Sequence, residues 1–325
     1  MVISTREGAV LPRLENRQAF GMLWPIMDLN QRPSPTGASR IPEFLINPHH
    51  KHPFREAVAR LPFGGLTTVC QEAQCPNRGE CLASHGTVSV MVLGSVCTRG
   101  CPFCAVKSGK PLPPNPEEPR QMVELVHALG VRYLAVTMPN RDDLADGGAS
   151  HLVSIVSALR QADPALKVEI LTSDFQGKES SYQALLACPP DVIAHDLQTV
   201  PRLYAKVRPG AKYERSLGLF KWFREHADPS RVRLKGGLMV GFGETLEEVE
   251  TVLRDAAECG VKCFTIGQYL KPPGGTMEPA EYVPLERYQA FVQSGEKFGL
   301  KVQASPLTRS SYLAEALAKE VSSEE

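Results

Sequence analysis

From residue 88 onward the chain alternates short apolar runs with amphipathic stretches, and this rhythm limits the fold more than any other feature. Val88–Leu93, Tyr133–Thr137, Lys167–Leu171, Val192–Ala194, Arg233–Val240 and Lys262–Tyr269 read as strands. Arg120–Leu129, closed by Gly130, Ala149–Gln161, Ser181–Ala187, Leu217–His226 and Leu246–Cys259 read as the helices between them. Strands that alternate with helices imply parallel βαβ units. Six such units suit a partial (β/α)6 TIM-like barrel, a full barrel having eight, and a doubly wound sheet is the alternative. A further helix is expected over Leu285–Phe298, stopped by Gly299, with a short one after Tyr312.

In parallel α/β folds the chemistry gathers at the C-terminal ends of the strands. The first strand here runs into Cys97-Thr98-Arg99-Gly100-Cys101-Pro102-Phe103-Cys104. Three thiolates spaced C-x3-C-x2-C can hold three corners of one iron–sulfur cube and leave the fourth iron open to a small molecule. Zinc is the plain alternative, but it normally takes two C-x2-C pairs, and only Cys101 and Cys104 make one. The later strand ends carry Asn140-Arg141-Asp142-Asp143, then Thr172-Ser173-Asp174, His195-Asp196, Lys235-Gly236-Gly237 with Gly241-Phe242-Gly243-Glu244, and Gln268-Tyr269. These groups can line a cavity facing the thiols. Ordinary capping by Asp142, Asp146 and Asp174 competes with that reading.

A second triplet precedes the barrel: Cys70, Cys75 and Cys81, spaced C-x4-C-x5-C with Pro76 and Gly79 forcing turns between the thiols. Six of the nine cysteines lie between positions 70 and 104, a density that packing alone does not explain. A zinc knuckle is the alternative here. Cys188, Cys259 and Cys263 sit in apolar contexts and read as buried small hydrophobes. His49, His50 and His52 read as a solvated loop, with metal binding the sharper alternative.

The whole-chain numbers exclude several roles. Lys+Arg and Asp+Glu are both 36 in 325 residues, so no global field draws the chain to nucleic acid or membrane. No apolar run reaches membrane length and no secretory pattern opens the chain, so a reducing cytoplasm is the expected compartment. The odd cysteine count argues against a disulfide framework. The expected organisation is an N-terminal arm over 1–55, a thiol-bearing segment over 56–86, the barrel over 87–275 and a C-terminal extension over 276–325.

The first triplet, with Phe103 before its last cysteine, resembles the signature of the radical S-adenosylmethionine (radical SAM) enzymes. Both triplets together with Arg309-Ser310-Ser311-Tyr312 resemble the lipoyl synthase family, as do Arg141-Asp142-Asp143-Leu144, Asp146-Gly147-Gly148, Thr199–Leu203, Val207–Gly210, Gly243-Glu244-Thr245 and Ile266–Leu270. The resemblance covers about residues 40 to 315. It implies a partial barrel with cluster-binding extensions at both ends and two [4Fe–4S] clusters. Cys97, Cys101 and Cys104 would hold the one that cleaves S-adenosylmethionine. Cys70, Cys75, Cys81 and a C-terminal serine, Ser311 rather than Ser310, would hold an auxiliary, sacrificial one.

The implied reaction inserts two sulfur atoms at C6 and C8 of an octanoyl chain carried on a lysine of a lipoyl domain or H-protein. It needs an electron donor such as flavodoxin or ferredoxin, and factors that rebuild the spent cluster. Phe103, Asp142, Asp143, Asp196, Lys235, Glu244 and Arg309 are the expected contacts to S-adenosylmethionine or substrate. The chain departs from the family pattern at Asp196, where Asn is expected, at Gln198, where Glu is expected, and over residues 137–140 and 276–279. A two-cluster radical SAM enzyme with another acyl or peptide substrate is the nearest alternative, and a non-catalytic iron–sulfur electron carrier the next.

Overall fold

The computed structural model describes residues 42, 45, 67–68, 72, 75, 77, 88–273, 275–311 and 314. Apart from residues 42, 45 and 314, the N-terminal arm with its His49–His52 cluster and the final short helix lie outside the described residues, as do Cys70, Cys81 and Tyr312. Ten strands are described. β1 (Thr67–Thr68), β2 (Val88–Met91), β5 (Tyr133–Thr137), β6 (Lys167–Leu171), β7 (Val192–Gln198), β8 (Arg233–Val240), β9 (Cys263–Gln268) and β10 (Lys301–Ala304) form one sheet in that order. β3 (Val96–Cys97) and β4 (Lys107–Ser108) form a separate pair. Every neighbouring pair from β2 to β10 is parallel, and β1 alone runs antiparallel, on β2.

Helices α1 (Glu118–Leu129), α2 (Ala149–Ala162), α3 (Glu179–Ala187), α4 (Tyr204–Val207), α5 (Tyr213–His226), α6 (Leu246–Glu258) and α7 (Leu285–Lys297) supply the crossovers. Six strands, β2 and β5 to β9, make the expected (β/α)6 unit. β10 adds a seventh parallel strand that the sequence reading does not contain. Each longer helix buries a stripe at helical spacing, such as Met122, Leu125 and Val126 of α1, or Val249, Val252, Leu253 and Ala256 of α6. The start of α6 is fixed by a capping box: the Thr245 hydroxyl accepts from Glu248 N, and the Glu248 carboxylate accepts from Thr245 N.

Strand β7 differs most from expectation. It runs on past Ala194 through His195, Asp196 and Gln198, and its register against β8 slips between Asp196 and Gln198. Leu197 is the extra residue of that bulge, and Gln198 sits at φ 69°, a left-handed conformation unusual for a side chain of its size. His195 does not line the site. It is fully buried, with Nδ1 on Thr172 O at 2.9 Å and Nε2 on Ser216 Oγ at 2.9 Å, and burial lowers its pKa to about 3. It is a neutral histidine tying β6, β7 and α5 together.

Candidate radical SAM active site

The thiol loop is closed at its base by the β3–β4 pair, in which Val96 faces Lys107 and Cys97 faces Ser108. Gly109 N donates to Cys97 O at 2.9 Å, and Cys104 N donates to Cys101 O at 3.0 Å, so the three cysteines sit on one short, tied loop. None of the three is in a disulfide. Burial pushes the Cys101 thiol up to about 11; Arg208 opposes that, and the neighbouring Cys104 and Cys97 add to it. Burial likewise raises Cys104, with Cys97 contributing. Metal ligation needs these thiols as thiolates, so loading a metal on them would release their protons.

Among the described residues no three Cys, His, Asp or Glu side chains close on one metal ion. A four-iron cube binds each thiolate at a different iron and does not ask them to. Three free thiols on one tied loop are a donor set that fits three corners of a [4Fe–4S] cluster.

Two arginines hold the loop. Arg99, between the first two cysteines, is buried and spans two carboxylates. Its Nε and Nη2 donate to Asp142 at 2.6 and 2.8 Å, and its Nη1 and Nη2 donate to Asp174 at 3.0 and 2.7 Å. Arg215 of α5 completes Asp174 at 2.8 Å. Burial alone would raise Asp174, but the hydrogen bonds and charge of Arg99 hold it well below the usual carboxylate range. Arg141, also buried, donates to Leu93 O at 2.8 Å, to Leu112 O at 2.9 Å and to both oxygens of Asp143 at 2.9 Å. Asp142 and Asp143, expected as cofactor contacts, thus each give both carboxylate oxygens to an arginine.

Thr98 stitches the same two loops together: Thr98 N and Oγ1 donate to Asn140 O at 3.0 and 2.9 Å, and Asp142 N donates to Thr98 Oγ1 at 3.1 Å. Cys97 Sγ accepts from Arg99 N at 3.3 Å and from Asn140 Nδ2 at 3.9 Å. Asn140 Oδ1 is buried without a partner, an acceptor left open beside the thiols.

Phe103 meets Phe242 edge-on at 6.3 Å, and Phe242 stacks on Tyr269 at 4.6 Å, forming an aromatic wall from the thiol loop across the ends of β8 and β9. Thr276 Oγ1 donates to Pro102 O at 3.3 Å, bringing the loop after β9 over the thiol loop.

Two expected contacts are already engaged within the barrel and its loops. Lys235 is buried inside it, with Nζ 3.0 Å from both oxygens of Glu169, and Tyr133 donates to the same carboxylate at 2.6 Å. Glu244 folds back to accept from Gly241 N at 2.5 Å and Phe242 N at 2.9 Å. Burial raises its pKa, and those two hydrogen bonds oppose the rise.

The C-terminal motif docks at the mouth. Ser305 N donates to Ile266 O, and Gln268 N donates to Pro306 O, each at 3.1 Å. Asn77 Nδ2, two residues after Cys75, donates to Leu307 O at 2.7 Å. Burial lowers the Arg309 pKa, and the nearby Cys75 charge opposes the fall. The structure thus brings Asn77, two residues after Cys75, against Leu307 of the C-terminal segment. Ser310 Oγ donates to Asp196 Oδ2 at 2.6 Å. Gly237 makes room for that carboxylate: a Cβ there would lie 2.5 Å from Asp196 Oδ1 and 2.7 Å from Thr265 Oγ1. Gly237→Ala is expected to cost about 1–3 kcal/mol by overpacking, read as a lower urea midpoint. An unchanged midpoint would mean that Asp196 does not occupy this place.

Arg99, Arg208 and Glu169 were given no site role from sequence. The signal available was local for Arg99, a cation inside a thiol loop. The others pair across 12 or more residues, as Arg208 does with Asp196 O at 2.8 Å, and leave no pattern along the chain.

The Radical SAM superfamily pattern matches residues 91–256. The lipoyl synthase of Xylella fastidiosa (strain 9a5c) is 47% identical over 266 residues, covering 81% of this chain and 70% of that protein. That of Pasteurella multocida (strain Pm70) is 46% identical over 257 residues, covering 78% and 79%. Among solved structures, Streptococcus suis SuiB bound to S-adenosylmethionine aligns at TM-score 0.54 and 15% identity over 70% of this chain and 53% of that one. The FeFe-hydrogenase maturase HydG from Carboxydothermus hydrogenoformans aligns at 0.53 and 11% over 72% and 66%. The chain spans about half to two thirds of these two proteins and shares their fold.

A parallel barrel with a three-thiol loop after its first strand, matched by the superfamily pattern, is a radical SAM enzyme. At this identity over this length, the chain belongs to the lipoyl synthase family. The superfamily implies a [4Fe–4S] cluster and S-adenosylmethionine, and the family implies an auxiliary cluster. Among the described residues no helix is long and apolar enough to cross a membrane.

Proposed function

We propose that the chain inserts two sulfur atoms, at C6 and C8, into an octanoyl group carried on a lysine of a lipoyl domain or H-protein. The observation that carries this is the hydrogen bond from Asn77, two residues after Cys75, to Leu307 O, which ties the second thiol segment to the C-terminal extension of a barrel whose first strand feeds the other thiol triplet. When bound, a cluster on Cys97, Cys101 and Cys104 would supply the electron that cleaves S-adenosylmethionine, and one on Cys70, Cys75, Cys81 and Ser311 would supply the sulfur.

The residues' own tasks are binding, orientation and exclusion of water. Arg99 and Arg141 lock the thiol loop to the loop after β5. Asn140 donates toward Cys97 Sγ and keeps Oδ1 free for a bound donor, a role open to the amino group of S-adenosylmethionine. Phe103, partly exposed and backed by the buried Phe242 and Tyr269, offers an apolar edge against which a thin acyl chain or a purine can lie. Unactivated C–H bonds carry no acidic proton, so the protein offers no general base to the reacting carbons and relies on placement.

Phe103, Asp142, Asp143, Asp196, Lys235, Glu244 and Arg309 remain the proposed contacts to S-adenosylmethionine or substrate. A reducing cytoplasm, flavodoxin or ferredoxin as reductant, and cluster-rebuilding factors complete the proposal.

The test is an anaerobic single-turnover assay of cluster-reconstituted protein with S-adenosylmethionine, a strong reductant and an octanoyl-lysyl peptide. A peptide that gains two sulfurs, with 5′-deoxyadenosine formed, is the expected outcome. Formation of 5′-deoxyadenosine with the peptide unchanged would reassign the substrate to another acyl or peptide chain. Neither product from a cluster-replete protein would remove the catalytic reading.

A further inference from the structure

We infer that Glu118 is a positioning residue for the first thiol loop: it latches the left-handed turn at Leu93 and so fixes how the chain enters Cys97. This rests on the reading above, in which Cys97, Cys101 and Cys104 hold the cluster that meets S-adenosylmethionine.

Strand β2 ends at Met91, and two residues on the backbone turns left-handed, with Leu93 at φ 66° and Gly94 at φ 86°. Glycine takes that conformation freely. A leucine there is an outlier, and such a residue persists only where its surroundings hold it. Two residues after Gly94, β3 opens at Val96 and delivers Cys97. The strained residue therefore lies four positions before the first thiol.

Every part of Leu93 is held. Its N–H donates to Glu118 Oε2 at 2.9 Å, and its carbonyl accepts from Arg141 Nη1 at 2.8 Å. Its side chain is fully buried against Gly148, where a Cβ would lie 2.6 Å from Leu93 Cδ1. Arg141 and Gly148 both belong to the segment between β5 and α2. Glu118 is the tie from another part of the chain, the first residue of α1.

The carboxylate itself is set in place. Glu118 is 6% exposed, and a buried carboxylate needs partners. The oxygen that takes Leu93 N also accepts from His151 Nε2 of α2 at 2.7 Å. One atom thus joins the turn, α1 and α2.

The consequence reaches the thiols because the links are short. β3 is pinned to β4 through Val96 and Cys97, so the strand cannot absorb a change in the turn before it. Without Glu118 the Leu93 N–H is buried and unpaired, and the turn loses the bond that offsets its strain. A leucine released to an ordinary conformation redirects the chain entering β3, and with it Cys97. The Arg99 fork holds the loop beyond Cys97 and leaves this entry untouched.

The test uses the full-length chain, reconstituted anaerobically with iron and sulfide. The variants are Glu118→Ala, Glu118→Asp and Glu118→Gln, with Leu253→Ala on α6 loosening the core away from the turn. The readouts are the electron paramagnetic resonance spectrum of the reduced protein with and without S-adenosylmethionine, the dissociation constant that this change yields, and the urea midpoint. Glu118→Ala is expected to weaken S-adenosylmethionine binding about tenfold. Glu118→Asp keeps the charge but draws it back by one methylene. It is expected to weaken binding too, and it decides the matter where Glu118→Ala does not fold. Glu118→Gln keeps an acceptor oxygen for Leu93 N and is expected to stay within about twofold of the wild type. Leu253→Ala is expected to lower the urea midpoint and leave the affinity unchanged.

Wild-type affinity in Glu118→Ala or Glu118→Asp would overturn the role of Glu118 and leave the cluster assignment standing. Equal weakening in Leu253→Ala would make the effect one of general stability and overturn it as well. Glu118→Gln as weak as Glu118→Ala would show that the charge, not the bond to Leu93, is what matters, and would overturn the latch. A wild-type spectrum that does not respond to S-adenosylmethionine would remove the cluster assignment and the latch with it.

Discussion

Arg99→Met is expected to destabilise the protein by about 3 kcal/mol, the low end of what removing one partner of a buried ion pair costs. Arg99 alone spans Asp142 and Asp174, and the Asp174 side chain is wholly buried. The cost stays at the low end because Arg215 still reaches Asp174 at 2.8 Å. Arg99→Lys keeps the charge but offers a point cation where the site uses a planar fork on two carboxylates, so it is expected to recover only part of the loss.

The pH dependence gives the mechanism away. Asp174 is held below its unfolded value, so its contribution is complete above the ordinary carboxylate pKa of about 4 and is lost as pH falls below that. Stability of the wild type is expected to fall with acid in that range, and the fall is expected to be shallower in Arg99→Met. Urea unfolding at several pH values reads both. Because the Arg99 side chain ties the thiol loop to Asp142 and Asp174, the variant is expected to load less iron at the first triplet. Wild-type stability and iron content in Arg99→Met would show that the fork does not hold the loop.

The barrel was legible wherever burial is two-sided. Tyr133–Thr137, Lys167–Leu171 and Arg233–Val240 have the expected ends, since a buried parallel strand reads as an apolar run and stops where polarity begins. The rule fails at β7 for the same reason. His195, Asp196 and Gln198 are polar because they do particular work, yet the ladder continues through them. β10, Lys301–Ala304, is partly exposed throughout and lacks an apolar run, so nothing marked it as a strand.

The thiols of the first loop were legible because their spacing is local. Their support was not: Arg99 meets Asp174 across 75 residues and Ser310 meets Asp196 across 114, and such pairs exist only once the chain is folded. The polar residues expected at the strand ends were found there, but Asp142, Asp143 and Glu244 are occupied by arginines or main-chain amides. Sequence marks where polar side chains gather and is silent on which of them remain unpaired.

Lys235 carries the other large effect. It lies two rungs below Gly237 on β8, level with Ala194 and Cys263, and its side chain is 4% exposed against 1% for Glu169. Lys235→Met is expected to cost about 3–5 kcal/mol, because a buried carboxylate loses its cation. The combined variant Tyr133→Phe, Glu169→Leu, Lys235→Met removes the whole polar trio with little change of volume, and is expected to return to wild-type stability or above. Tyr133 must be included, since its hydroxyl would otherwise be left buried without the Glu169 acceptor.

The combined variant also separates two roles for Lys235. If the lysine serves only the barrel interior, the stable variant is expected to form 5′-deoxyadenosine at the wild-type rate. If it reaches S-adenosylmethionine or substrate, the variant stays folded and loses that activity. Urea unfolding and an anaerobic 5′-deoxyadenosine assay together decide it. A combined variant less stable than Lys235→Met would mean that the trio aligns β5, β6 and β8 as well as neutralising itself.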